Sequence, residues 1–128
     1  MYADTDFILA LIKESDWLKE NAESLFSLHE KEIWTSPFAL QEILMIAYRE
    51  RYDIQKVMNQ VNLLIQIHPV QLTAEMCRKA AWLMNENKLT PFDAFHALAC
   101  GDDSIISSDQ KYDAAGLKRI KLEETAKK

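Results

Sequence analysis

Glycine and proline are scarce in this chain, two and three of them in 128 residues. Long irregular loops draw on such residues, so their scarcity predicts regular elements joined by tight connections. Cysteine is equally rare. Cys77 and Cys100 have no metal or redox spacing between them, and both fall in expected helices, so they read as two buried, reduced thiols. No apolar run approaches the about 20 residues of a membrane-spanning helix. The N-terminus also lacks the basic-then-apolar pattern of a cleavable leader. These absences predict a cytoplasmic protein with no membrane segment. Neither an internal repeat nor a low-complexity stretch is present.

What remains is the composition of a globular fold, 48 % hydrophobic and 27 % charged. A chain of 128 residues is long enough for one real core, and one domain over 1–128 is expected. The formal net charge of −5 counts, as an average, against a partner rich in phosphate. The average hides an uneven distribution. Lys111, Lys118, Arg119, Lys121, Lys127 and Lys128 gather near the C-terminus.

The chain is organised around its opening. Tyr2-Ala3-Asp4-Thr5-Asp6 runs into six apolar residues, Phe7 to Ile12. This predicts a short strand ending at Asp4, a sharp turn, and a helix buried on all sides. An amphipathic helix follows over Glu14 to Lys31, with Leu18, Ala22, Leu25 and Phe26 in register, and then a strand over Glu32 to Thr35. Ser36 and Pro37 are the expected Ncap and N1 residues of a helix reaching about Arg51. Asp53 caps the next, with Ile54, Val57, Met58, Val61, Leu64 and Ile65 on one stripe. Ile67 to Leu72 is strand-like, but Pro69 cannot donate to a ladder and places it at a sheet edge. Thr73 opens another helix. Thr90-Pro91-Phe92-Asp93 opens one more, which stops at Gly101. Ser104 to Ser107 and Arg119 to Leu122 complete five strands, and the last few residues are expected to fray. Strands interleaved with helices imply parallel pairing and right-handed crossovers, hence an α/β sandwich.

In such a sheet ligands bind beyond the carboxyl ends of the strands. Asp4 ends the first strand and Asp109 follows the fourth, while Asp93 lies in the first turn of one helix and Glu42 about a turn and a half into another. Acids converging on one edge suit a hard cation, Mg²⁺ or Mn²⁺, which takes oxygen ligands and neutralises their repulsion. Each acid also has an ordinary reading: a capping-box residue for Asp93, a solvated helix acid for Glu42, a turn residue for Asp109, an N-cap for Asp4. Thr5 and Ser107 could offer hydroxyls to substrate or metal-bound water, or could simply cap turns. His96 stands one helical turn after Asp93 and within reach of the same edge. His29 and His68 read as structural. No Ser-His-Asp or Cys-His set is visible.

Taken together, four motifs in order resemble the PIN domain family: Asp4-Thr5-Asp6 after a first strand, Glu42 after a Ser-Pro helix start, Asp93-Ala94-Phe95-His96-Ala97, and Ser107-Ser108-Asp109 followed by Lys111 and Tyr112. The resemblance covers nearly the whole chain, and its size is that of the VapC-like toxin branch. It implies a three-layer α/β sandwich around a mostly parallel five-stranded sheet. It also implies metal-dependent RNA cleavage, with Asp4, Glu42, Asp93 and Asp109 as catalytic and metal-holding acids. Thr5, Asp6 and Ser107 would stand behind them or on the substrate. The implied partners are RNA, a protein antitoxin and a second copy of the chain. One departure is Asp6, where the family commonly has asparagine. A phosphoaspartyl phosphatase is the rival enzyme, since Asp4-Thr5-Asp6 fits its nucleophile motif and Gly101-Asp102-Asp103 its later acids. A non-catalytic interaction module is the other rival. The helices from Pro37 to Ile65 carry more apolar surface (Met45, Ile46, Met58, Leu63) than one core contact uses.

Overall fold

The period-two alternation of the two central strands divides the core into halves. In the computed structural model, which describes residues 1–124, β1 (Tyr2–Ala3) lies beside β4 (Ser104–Ser107). Tyr2 and Ile105 face one way and Ala3 and Ile106 the other, all fully buried. The expected fraying at the C-terminus, with Lys127 and Lys128, falls in 125–128, outside the described residues. β2 (Trp34–Thr35), β3 (Gln66–Ile67) and β5 (Lys118–Lys121) complete a sheet of order β3-β2-β1-β4-β5. Every neighbouring pair is parallel.

Helices cover both faces. On the Ala3 and Ile106 side lie α1 (Thr5–Ile12), α2 (Lys19–His29), α3 (Pro37–Arg49) and α4 (Ile54–Leu64), burying Ile8, Ala22, Ile43 and Val61. On the Tyr2 and Ile105 side lie α5 (Ala74–Asn87), α6 (Pro91–Cys100) and α7 (Lys111–Ala114), burying Ala80, Ala94, Ala97 and Tyr112. The three layers are those expected of a PIN-like sandwich. α3 also leans past the sheet onto α6, where Phe38 and Phe95 stack with ring centres 4.9 Å apart. That contact brings the two helices together at the carboxyl end of the sheet. Among the described residues no helix is long and apolar enough to cross a membrane.

Several local expectations change, each for a physical reason. The Phe7–Ile12 run is not buried all round. Phe7, Ile8 and Ala10 are buried, but Leu9, Leu11 and Ile12 are half-buried, because an eight-residue helix at one end of the sheet has one open side. The second helix starts at Lys19, not Glu14. Asp16 accepts from the Leu18 amide in a turn, and Lys19 Nζ donates to the carbonyls of Leu11 at 3.0 Å and Lys13 at 2.7 Å, closing the end of α1. β3 holds the expected edge position but only over two residues. α7 was not foreseen, since four residues carry no periodicity, yet it supplies the crossover that parallel β4 and β5 require. Cys100 is buried but Cys77 is exposed on α5, which corrects the expectation of two buried thiols.

Truncating the sheet centre should therefore cost far more than truncating the outer helix. Ile106→Ala is expected to lose about 2–5 kcal/mol of unfolding free energy. Leu63→Ala, at a residue 85 % exposed, should stay within about 0.5 kcal/mol. Denaturant titration of both variants measures the difference, and equal losses would contradict the assignment of the core.

Candidate functional site

The first sharp turn of the chain places two acids. β1 ends at Ala3, and Asp4 caps α1 by accepting from the Thr5 amide at 2.8 Å. The next residue pair sends Asp6 into the first turn of that helix. Beside β1, β4 ends at Ser107, and the chain turns through Ser108 to Asp109. On the helices above, Thr90 caps α6 by accepting from the Asp93 amide at 3.3 Å, so Asp93 stands at the helix start. Ser36 is the Ncap of α3, as expected, but its hydroxyl makes no cap bond. It pairs instead with Tyr2 Oη at 2.7 Å. Pro37 holds N1, and Glu42 falls on the side of α3 turned toward α6.

These elements surround one open cleft of about 410 Å³ at the carboxyl end of the sheet. Its walls are Asp4, Thr5, Asp6, Glu42, Asp93, Ser108 and Asp109, with Leu9 and Ile46 as an apolar rim. The sheet order reverses at β1, the position where open α/β sheets form a crevice. All four acids singled out in the sequence reach this cleft. Ser107 lies just beneath it, buried, donating its hydroxyl to Asp4 Oδ2 at 2.6 Å. Asp102 and Asp103 do not reach it. They precede β4 at the amino end of the sheet, where Asp103 Oδ2 accepts from Trp34 Nε1 at 2.8 Å. The acidic pair needed by a phosphatase is thus at the wrong edge.

The residue that sequence reasoning left outside the set is His96. It is fully buried, one turn along α6 from Asp93, and its two nitrogens reach in opposite directions. Nε2 is 2.8 Å from Glu42 Oε1, 3.6 Å from Asp4 Oδ1 and 3.4 Å from Thr5 Oγ1. Nδ1 is 2.6 Å from Tyr2 Oη, which continues to Ser36. As an imidazolium it donates Nδ1–H to Tyr2, whose hydroxyl donates to Ser36, and Nε2–H to Glu42. The i, i+3 spacing on α6 was the one available signal.

Electrostatics follow from burial and crowding. Burial, then the charge of Asp6, push the Asp4 carboxyl up to about 7 against the pull of His96 and Ser107. Burial raises Asp6 despite two hydrogen bonds from Ser108. Burial and the Asp109 charge raise Asp93, although Thr90 and Tyr112 donate to it. Burial acts on Glu42 in the same direction, but hydrogen bonds from His96 and Thr5 outweigh it and hold the carboxyl below its ordinary value. For His96 burial favours the neutral ring, yet Glu42 and Asp4 win and the imidazole is raised.

The donor set fits a hard divalent cation. Asp4, Asp6 and Asp93 crowd one cleft with their ionised forms disfavoured, beside Glu42 and Asp109. Carboxylate oxygens of Asp4 and Glu42 lie within 4.8 Å of one another, with His96 Nε2 between them as a hydrogen-bond donor and not a ligand. Asp93, tied to Tyr112 Oη at 3.1 Å, and Asp109 complete the walls.

The pH dependence of stability has a definite sign. A carboxyl with a raised folded pKa adds stability at acid pH that is lost as pH rises through that value. Asp4, Asp6 and Asp93 behave so, and a raised imidazole acts in the same sense. Glu42 has the opposite sign, confined to the acid side of the carboxylate range. In EDTA the melting temperature should fall between about pH 5.5 and about pH 8. The fall should be smaller in Asp4→Asn, and Mn²⁺ should raise the melting temperature more at the higher pH. Parallel thermal melts decide this. A metal-free melting temperature flat across that range would contradict the crowding.

Comparison with known proteins agrees with this geometry. The model of the PIN domain matches residues 1–117. No curated protein sequence matches the chain. Among solved structures, FitAB bound to a DNA fragment has a TM-score of 0.74 at 13 % identity, covering 98 % of this chain and 97 % of that one. Mycobacterium tuberculosis VapC20, a toxin that cleaves the sarcin-ricin loop, has a TM-score of 0.71 at 20 % identity over 91 % and 95 %. VapBC2 from Rickettsia felis, bound to a fragment of its promoter, has a TM-score of 0.69 at 12 % identity over 94 % and 96 %. At such identities the likeness is one of fold. The family model spans both strands and both helices that carry the four acids, and the chain belongs to the PIN domain family.

Proposed function

We propose that this chain is a divalent-metal-dependent endoribonuclease, the toxin of a toxin–antitoxin pair. One observation carries the reading: four acids from four separate elements, Asp4, Glu42, Asp93 and Asp109, line a single cleft. They would hold Mg²⁺ or Mn²⁺. Bound there, the cation supplies charge relief on the phosphoryl oxygens and a more acidic water. The chain's own residues do the rest. His96 keeps Glu42 ionised and aimed, while Ser107 aims Asp4 and opposes part of the rise that burial imposes on it, so its hydroxyl serves the acid and not the substrate. Thr5, also buried, spends its hydroxyl on the His96 and Glu42 pair. Leu9 and Ile46 exclude water from one side of the cleft.

Affinity for RNA needs positive charge at the rim. Arg119, the strongest cation of the C-terminal group, is committed to Asp113 and Glu123 at 3.0 and 2.7 Å. Lys111, exposed and two residues past Asp109, is the better phosphate contact. Partner surfaces fall on α3 and α4, where Leu44 is 41 %, Met45 56 % and Leu63 85 % exposed. Such surface suits a second copy of the chain and an antitoxin segment. Similarity in fold to VapBC2 and FitAB supports this reading.

Incubating RNA with the protein in Mg²⁺ or Mn²⁺ should give internal cleavage that EDTA abolishes. Asp4→Asn, Asp93→Asn, Asp109→Asn and Glu42→Gln should each lose about 100-fold or more, the scale for removing a group that stabilises transition-state charge. Asp102→Asn and Asp103→Asn should cleave like the parent. Robust cleavage by Asp4→Asn in EDTA would overturn the metal-site reading, and activity lost only at Asp102 or Asp103 would favour the phosphatase. In light scattering the parent should be a dimer, and Met45→Glu should shift it toward monomer.

A further inference from the structure

Two consecutive serines of the turn after β4 engage alternate acids of Asp4-Thr5-Asp6. Ser107 Oγ donates to Asp4 Oδ2 at 2.6 Å and accepts from the Asp109 amide at 3.0 Å. Ser108 gives both of its donors to one oxygen of Asp6: its amide lies 2.9 Å and its hydroxyl 2.5 Å from Asp6 Oδ2. The second hydrogen bond is short, as charge-assisted bonds to a carboxylate are. The turn then closes on itself, with the Lys111 amide donating to Asp109 Oδ1 at 3.0 Å. No other side chain among the described residues bonds to the Ser108 backbone or hydroxyl.

We propose that Asp6 is a positioning residue. By taking both donors of Ser108 it fixes the turn that carries Asp109, and so sets where the Asp109 carboxylate stands in the cleft. The inference rests on the metal-site reading of that cleft. Geometry separates this role from that of a fifth acid acting directly on the cation. Oδ2 is saturated by two hydrogen bonds, and Oδ1 is enclosed. Every hydrogen bond that Asp109 makes is local: its carboxylate accepts from the Lys111 amide, its amide donates to Ser107, and its carbonyl accepts from the Tyr112 amide at 3.4 Å. Without the Asp6 anchor, a residue on a turn between a strand and a four-residue helix would sample several positions. With it, Asp4 and Asp6 at the start of one helix hold the last residue of β4 and the first of the turn, and the separation of Asp4 from Asp109 is fixed. What the position needs is an acceptor, and an amide carbonyl can take the same two bonds.

Mn²⁺ affinity of the full chain, measured by isothermal titration calorimetry, tests this without reference to cleavage. Asp109→Asn should weaken binding at least about tenfold, and Asp6→Ala about tenfold, the scale for removing the partner that orients a metal-holding group. Asp6→Asn should rescue most of that loss and stay within about threefold of the parent. Ser108→Ala, which keeps the backbone bond, should fall between. In amide NMR spectra of the metal-free protein, Asp6→Ala should move or broaden the Asp109 resonance, and Asp6→Asn should leave it near its parental position. Melting temperatures of all variants separate a local effect from unfolding. If Asp6→Ala binds Mn²⁺ like the parent while Asp109→Asn does not, the turn holds without Asp6 and the proposal fails. If Asp6→Asn is as weak as Asp6→Ala, charge and not anchoring matters, and it fails again. Parental affinity in Asp109→Asn would overturn the metal-site reading itself, and this inference with it.

Discussion

Burial of neighbouring carboxylates at the end of β1, which disfavours their charge first by desolvation and then by repulsion, is the constraint on which the site depends. Three acids from the cleft are held above their ordinary range, and a fold that crowds them must offset the cost with donors. It does so one acid at a time. Ser107 serves Asp4, Ser108 serves Asp6, His96 serves Glu42 and Tyr112 serves Asp93. These donors do not come from solvent or from mobile lysines. They come from the central strand, the turn beyond it and the helices above, so the acids are fixed before any cation arrives. Fixed like charges are destabilising alone and suited to a cation, which is the usual signature of a site as opposed to a core.

The string Ser36–Tyr2–His96–Glu42 ties this site to the architecture. Tyr2 belongs to the central strand, Ser36 starts α3, and His96 lies on α6. Tyr2, Ser36 and His96 are buried, so each must be satisfied from within. The ring of Tyr2 packs edge-on against Trp34, with centres 5.0 Å apart, and locks the string to β2 as well. Stacking of Phe38 on Phe95 brings α3 and α6 together, and the hydrogen-bonded string sets their register. Loss of either contact would move Glu42 relative to Asp4.

Much of this could be read from residues alone where the signal was local. Thr90-Pro91-Phe92-Asp93 opens a helix because each residue suits its cap position, and Pro69, with no N–H to donate, stands just past the short edge strand β3. The separation of Asp109 from Asp103 was equally legible. They flank a four-residue strand, and a strand has two ends. Less local features were lost. α7 is too short to show a period, Cys77 faces solvent on a helix whose apolar stripe is weak, and Ser36 exchanges its cap bond for one with a residue 34 positions away.

The alternation of strands and helices and the parallel sheet were legible in the residues, through periodicity and caps. The rule that a strand's carboxyl end faces the crevice singled out Asp4 and Asp109, and the resemblance to the PIN domain family joined Glu42 and Asp93 to them. Only the tertiary structure decided who stands behind each acid. His96 could be a core histidine or a counter-charge until α3 brings Glu42 to 2.8 Å. Ser108 was one residue of a turn until α1 brought Asp6 beneath it. Hydrogen bonds between elements depend on angstrom distances set by packing of the whole core, and no local spacing encodes them.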